Sequence, residues 1–317
     1  MPVFTIHHIT YYHYDYPVKE NNNQLRIIPF ADERQQVKNF ELKVTNHPSV
    51  NIYKDVYGNH VGEFNVYRPH TELTIDCRMT IHTIDAILQG DDLPKASLAD
   101  VLTTMDKDIF LWRFSSAERI KQQPVIDDIL AGLNIFEKPV PEIASLCCQY
   151  IFQHFKYIRG ITTIETTVDE ILSHRSGVCQ DFAHVLLQML RTTGIPARYV
   201  SGYICPNKSG LRGEGATHAW VEYYLPNYGW VGLDPTNNIL VNNHHIKLAT
   251  GMNFGDCTPV KGIFKGIARQ SLSIYVSVGY EDGHVFEDRN NVKMELQLGE
   301  ETEEWQAEYL AMMQQQQ

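Results

Sequence analysis

Cys179 stands in Ser176-Gly-Val-Cys-Gln-Asp-Phe-Ala-His184, where a polar, glycine-containing loop gives way to an apolar repeat. Phe182, Val185, Leu186, Met189 and Leu190 recur at the spacing of one helix face. Gly194 followed by Pro196 supplies a stop, so the pattern predicts a helix from about Val178 to Thr193. Counted back along the stripe, Cys179 lies on its core-facing side, in the first turn. Unpaired N–H groups and the positive end of the helix dipole favour a thiolate there, but by only about 0.3–1 kcal/mol. A base is therefore required.

His184 does not supply it, because five residues along a helix rotate it about 140° from Cys179. The better candidate is His218, in Thr217-His-Ala-Trp-Val-Glu222, followed by Leu225-Pro-Asn-Tyr-Gly-Trp-Val-Gly-Leu-Asp-Pro235. Two strands around the Pro-Asn-Tyr-Gly turn would carry His218 and Asp234. With the loop Pro226–Tyr228, Asp234 falls opposite Trp220, on the face of His218 and diagonal to it, about 7–8 Å away at the backbone. A two-residue loop would put the pair on opposite faces, so the arrangement requires the odd register or a bulge. In that register Asp234 orients the imidazole, His218 takes the proton of Cys179, and the thiolate attacks an acyl carbon. The backbone N–H at the helix start is a donor for the oxyanion.

The elements that must position these groups follow from the change of hydrophobic period along the chain. Leu73, Ile75, Cys77, Met79 and Ile81 alternate without a fault, and Phe40, Leu42 and Val44 repeat the pattern. Gly58-Asn59, between Tyr53–Tyr57 and Val61–Tyr67, reads as a hairpin turn. Between about residues 93 and 160 the period becomes helical; Pro141, Ile143, Leu146, Cys147, Tyr150, Ile151 and Phe155 describe an amphipathic helix with proline at its start. Strand-like runs follow at Ala197–Ile204, Ala216–Leu225 and Gly229–Asp234, and again at Leu272–Val278. The expected division is an N-terminal β domain over residues 1–88, a helical segment with the catalytic core over 89–300, and a tail over 301–317 forming a short helix and a frayed end.

The stretches Ser176–His184, Gly194-Ile-Pro-Ala-Arg-Tyr-Val-Ser-Gly-Tyr203, His218–Glu222 and Gly229–Thr236 together resemble the transglutaminase-like superfamily, in its bacterial transglutaminase-like cysteine protease branch. Leu25-Arg-Ile-Ile-Pro29 and Asp55-Val-Tyr-Gly-Asn59 are similar to the β domain that precedes the core there. The resemblance implies an α+β, papain-like core, with a nucleophile helix on an antiparallel sheet, and Cys179, His218 and Asp234 as catalytic residues. One departure concerns the oxyanion: papain-like proteases carry a glutamine six residues before the nucleophile, where this chain has Ser173. The second donor is thus unassigned, with Tyr157 a candidate that reads equally well as core packing.

Other residues have plainer readings. His7-His8 and His244-His245 invite a metal, yet adjacent histidines on a strand point to opposite faces and rarely chelate one ion. Asp181 in a first helical turn is explained by the dipole, although it and Gln180 flank the nucleophile. Trp220 and Trp230 are expected to pack the hairpin. Arg198 could pair with a substrate carboxylate or a buried acid. No calcium-loop pattern is present, so neither calcium nor any other cofactor is expected.

A formal charge of −11 over 317 residues disfavours nucleic acid or anionic lipid as partner, and no apolar run reaches the length of a membrane span. The six cysteines have no disulfide or zinc spacing. With no signal-peptide pattern at residues 1–16, the expected location is cytoplasmic. The expected activity is acyl transfer on an amide or peptide bond through a Cys179 thioester, resolved by water and acting on a peptide or protein. Amine transfer and a non-catalytic scaffold are the alternatives.

Overall fold

The computed structural model describes residues 2–84, 92–163, 165–205, 211–213, 217–280 and 285–290. Its longest element is strand β1, Val3–Leu25, in which Phe4, Ile6, Tyr12 and Tyr14 alternate into the core. The strand serves two regions of one sheet. Its first half pairs with β5 (His70–Thr83) and β14 (Gln270–Tyr280), and its second half with β4 (His60–Val66) and β13 (Val260–Lys265), all antiparallel. Register shifts separate the halves, and Glu20 with φ 49° marks the bend. Three strands extend the sheet outward: β2 (Gln35–Val44) on β5, β3 (Asn51–Lys54) on β4, and β15 (Val285–Asn290) on β14.

The alternating residues of β5 are buried as their period predicts: Leu73, Ile75, Cys77, Met79 and Ile81. The turn before β4 uses Gly58 at φ +82°. Asn59 ties the turn to the second sheet: its amide bonds the Asp55 carboxylate, donates to the Thr250 carbonyl and accepts the Thr250 N–H, the two Thr250 bonds each measuring 2.8 Å. Strands β13–β15, expected with the catalytic segment, complete the N-terminal sheet instead. Alternation identifies a strand but not its partner, and β1 offers β14 the edge that β5 leaves open.

Helices fill the middle of the chain: α1 (Leu98–Met105), α2 (Ile109–Ser115), α3 (Gln123–Gly132), α4 (Val140–His154) and α5 (Val168–His174). Two-residue strands β6 (Lys156–Tyr157) and β7 (Ser176–Gly177) pair in parallel directly before α6 (Cys179–Thr192). An antiparallel sheet of five strands follows in the order β11 (Ile239–Leu240), β10 (Gly229–Asp234), β9 (Thr217–Leu225), β8 (Ala197–Ile204), β12 (His245–Gly251), and α7 (Phe254–Cys257) leads back to β13. Phe182, Val185, Leu186, Met189 and Leu190 of α6 are fully buried with Tyr199, Val221 and Tyr223 of this sheet, each side chain contributing about 1.5–3 kcal/mol of transfer free energy. The fold is α+β. Tyr203, Cys205, Ile246 and Leu248 join the core of the N-terminal sheet, so the two sheets share one apolar boundary.

Candidate active site

Gly177, Val178 and Asp181 define how α6 begins. The Asp181 carboxylate, buried, accepts the Val178 N–H at 2.7 Å and the Thr162 hydroxyl at 2.7 Å. Burial raises its proton affinity, against which both hydrogen bonds work. A Cβ on Gly177 would lie 2.4 Å from Asp181 Oδ2, so this contact requires glycine. Asp181 is thus a support for the helix start rather than a residue facing substrate. Cys179, the first residue of α6, is partly exposed, whereas the other five cysteines are buried.

The hairpin carrying the other two groups adopts the odd register. Gly229 pairs with Leu225 and Leu233 with Val221, which carries Asp234 opposite Trp220. Asn227 at φ 61° and Gly229 at φ 101° close the loop. His218 Nε2 and Asp234 Oδ2 stand 2.8 Å apart with both side chains fully buried. His218 Nδ1 makes no hydrogen bond of full geometric quality, yet Cys179 is near enough to act on the ring both by charge and as a hydrogen-bonding group. Burial pushes the His218 imidazole down, but Asp234 and Cys179 outweigh it and hold it up at about 10. Burial likewise opposes the Asp234 carboxylate, and His218 and His245 overcome it to keep that group well below the usual carboxylate range. Imidazole and carboxylate are therefore in direct contact, and the sulfur lies within interaction range of the ring.

Asp234 has further partners. Oδ1 accepts the Thr236 N–H at 2.8 Å, and Oδ2 accepts the Asn237 side-chain amide at 2.8 Å. Asn237 also donates to the Arg212 carbonyl at 3.2 Å, while the Arg212 N–H donates to its oxygen at 2.7 Å. The neighbouring Gly213, at φ +84°, lies against the imidazole, where a Cβ would come 2.9 Å from His218 Nδ1. His245 Nε2 lies 3.3 Å from the same Oδ2. Sequence reasoning missed Asn237, and it weighed His245 only as half of a histidine pair, not as a neighbour of Asp234. Asn237, in the Asp-Pro-Thr-Asn run after β10, had a local signal in its three-residue spacing from Asp234.

Most of the remaining candidates have structural roles. Ser173, on α5, donates to the Asp169 carbonyl at 2.8 Å. Tyr157 sits on β6 within electrostatic reach of Cys179, and burial with that neighbour pushes its phenol up to about 12. Arg198 resolves to the buried acid: its Nε is 2.7 Å from Glu222, its guanidinium stacks 4.2 Å over Trp230, and Lys247 Nζ meets the same carboxylate at 2.6 Å. Against the burial penalty, the two cations bring Glu222 down to about 2. His184 accepts the Phe254 N–H at 3.2 Å, and burial lowers it to about 4. Of the two histidine pairs, His7 and His8 turn to Asp76 and Tyr203 respectively. His218, Asp234 and His245 bring ligand-type atoms within 4.8 Å of one another, a spacing a cation could bridge, but hydrogen bonds from both rings to the carboxylate already account for it.

A thiol at a helix start facing a histidine–aspartate pair on an antiparallel sheet is the arrangement of a papain-like thiol fold. The comparisons agree. Residues 134–235 match the transglutaminase-like superfamily and residues 4–82 the bacterial transglutaminase-like N-terminal region. An uncharacterized protein of Mycobacterium leprae is 30% identical over 279 residues, covering 86% of this chain and 96% of that one. A protein-glutamine gamma-glutamyltransferase of Pseudomonas aeruginosa is 36% identical over 109 residues, covering 32% of this chain and 16% of that one. Among solved structures, one from Cytophaga hutchinsonii, described as a candidate cysteine protease, superposes with a TM-score of 0.69 at 20% identity over 92% of this chain and 96% of that one. The chain belongs to the transglutaminase-like superfamily, and that membership supports thiol-dependent acyl transfer.

Proposed function

We propose that this protein cleaves an amide or peptide bond in a peptide or protein through a thioester on Cys179. The observation that carries the reading is the buried His218–Asp234 pair at 2.8 Å, whose second ring nitrogen is left for the thiol. His218 Nδ1 removes the proton of Cys179, and the sulfur bonds to the acyl carbon. The charge that develops on the carbonyl oxygen faces N–H groups at the start of α6, which have no intrahelical acceptor. His218 then returns the proton to the departing amine as the C–N bond breaks, leaving the thioester. Water, deprotonated by the same imidazole, releases the acid and regenerates the thiol.

We infer hydrolysis as the second half-reaction because Cys179 is partly exposed, which gives water a path to the thioester. The likeness to the Pseudomonas aeruginosa protein-glutamine gamma-glutamyltransferase favours a second reading, in which an amine replaces water. Mass spectrometry of a glutamine-containing peptide library, with and without a primary amine, separates them. Hydrolysis gives cleavage or a gain of about 1 Da at glutamine whether or not amine is present; transfer gives the mass of the amine adduct. No change in any peptide, from a protein whose Cys179 reacts with an electrophile no faster than that of His218→Ala, would overturn both.

A further inference from the structure

His245 is the first residue of β12, fully buried, and no step of the proposed reaction uses it. Its two ring nitrogens meet different groups. Nε2 faces Asp234 Oδ2 at 3.3 Å, while Nδ1 lies 3.3 Å from both the Asn242 N–H and the Asn242 side-chain oxygen. The neutral ring carries one proton, so only one tautomer fits. With the proton on Nδ1, the lone pair of Nε2 would face a buried carboxylate. With it on Nε2, the ring donates to Asp234 and accepts from the Asn242 N–H, satisfying both. Burial lowers the basicity of His245 despite the nearby carboxylate, which favours this neutral form. The Asn242 oxygen already receives the His244 N–H at 2.9 Å, so it does not require a proton from the ring.

Asp234 Oδ2 therefore receives three donors: His218 at 2.8 Å, Asn237 at 2.8 Å and His245 at 3.3 Å. Donors that share one oxygen compete for its charge. We propose that His245 is a positioning residue for the reaction inferred above, donating Nε2–H to Asp234 and thereby limiting how strongly the carboxylate stabilises the His218 imidazolium. It touches neither the thiol nor the acyl group. Its effect reaches Cys179 only through Asp234 and His218.

The proposal rests on the triad reading, and one experiment separates the two. The rate of Cys179 alkylation by iodoacetamide is measured against pH for the full chain and for His245→Leu, His245→Gln and His218→Ala, with melting temperatures recorded in parallel. Glutamine keeps an N–H donor near the Nε2 position; leucine does not. The groups facing His245 are unchanged in the His245 variants: Asp234, His218 and His244, with Asp32, Arg34, Glu222 and Lys247 lining the adjoining crevice. Losing one net hydrogen bond to Asp234 should move the second inflection of the profile, where the imidazolium beside the thiolate gives up its proton, to higher pH by about half a unit in His245→Leu and leave it in place in His245→Gln. If leucine prevents folding, His245→Asn, too short to reach Asp234, takes its place with the same expectation. A donor-less variant whose second inflection stays at the wild-type midpoint, or moves to lower pH, overturns the role of His245. Loss of the reactive rise in wild type itself, or its persistence in His218→Ala, overturns the triad reading instead.

Discussion

Asp234 and His218 are 16 residues apart in the chain and 2.8 Å apart in space, with neither side chain accessible to solvent. The loop Pro226–Tyr228 produces that meeting by setting the register of β9 against β10. In a buried site such a pair is stable only if hydrogen bonds satisfy the carboxylate, and Thr236, Asn237 and His245 do so.

Asp234→Asn should weaken the protein in a pH-dependent way. His218 is raised from 6.5 to about 10 in the fold, so the stability it gains is full below pH 6.5 and is lost as pH rises toward 10. Asp234 is depressed from 3.8, so its share is present above that pH and is lost as pH falls further. The melting-temperature gap between wild type and Asp234→Asn should therefore be widest between 3.8 and 6.5 and narrow on either side. A gap constant from pH 4 to 10, in scans of both proteins, would contradict the ion pair.

Gly177→Ala should cost about 1–3 kcal/mol, the usual range for forced overpacking. Its Cβ would stand 2.4 Å from Asp181 Oδ2 and 2.7 Å from Asp181 Cβ, displacing the carboxylate that caps α6. Urea unfolding measures the loss, and slower alkylation of Cys179 should accompany it because the helix start moves.

Asn59→Ala should destabilise by about 1–3 kcal/mol without altering Cys179 reactivity, since it strands the N–H and carbonyl of buried Thr250 far along the chain from the thiol. Equal alkylation rates with a lowered urea midpoint are the expected result. A change in rate would mean that the boundary between the sheets bears on the site.

Much of this site was legible because its parts are local. The stripe from Phe182 to Leu190 fixes α6 by period, and Cys179 follows as its first residue. Parity alone restricted His218 and Asp234 to one register, which Asn227 and Gly229 realise with positive φ. His245 was not legible. It opens β12, at the opposite edge of the sheet from β11, so its approach to Asp234 depends on how the connection after β11 crosses the sheet end. The placement of β13–β15 failed for the same reason, since strand partners are chosen by closure of the whole chain. The tail expected after residue 300 lies outside the described residues.

The most direct test is the alkylation of Cys179 by iodoacetamide, site-resolved by mass spectrometry, in wild type and His218→Ala between pH 5 and 9. Comparison with the other five cysteines is uninformative, because all are buried and would label slowly in any case. A histidine that takes the thiol proton should give rapid labelling near neutral pH that falls at least about tenfold in His218→Ala. Identical rates and identical pH dependence in the two proteins, both folded, would mean that the imidazole does not act on the sulfur.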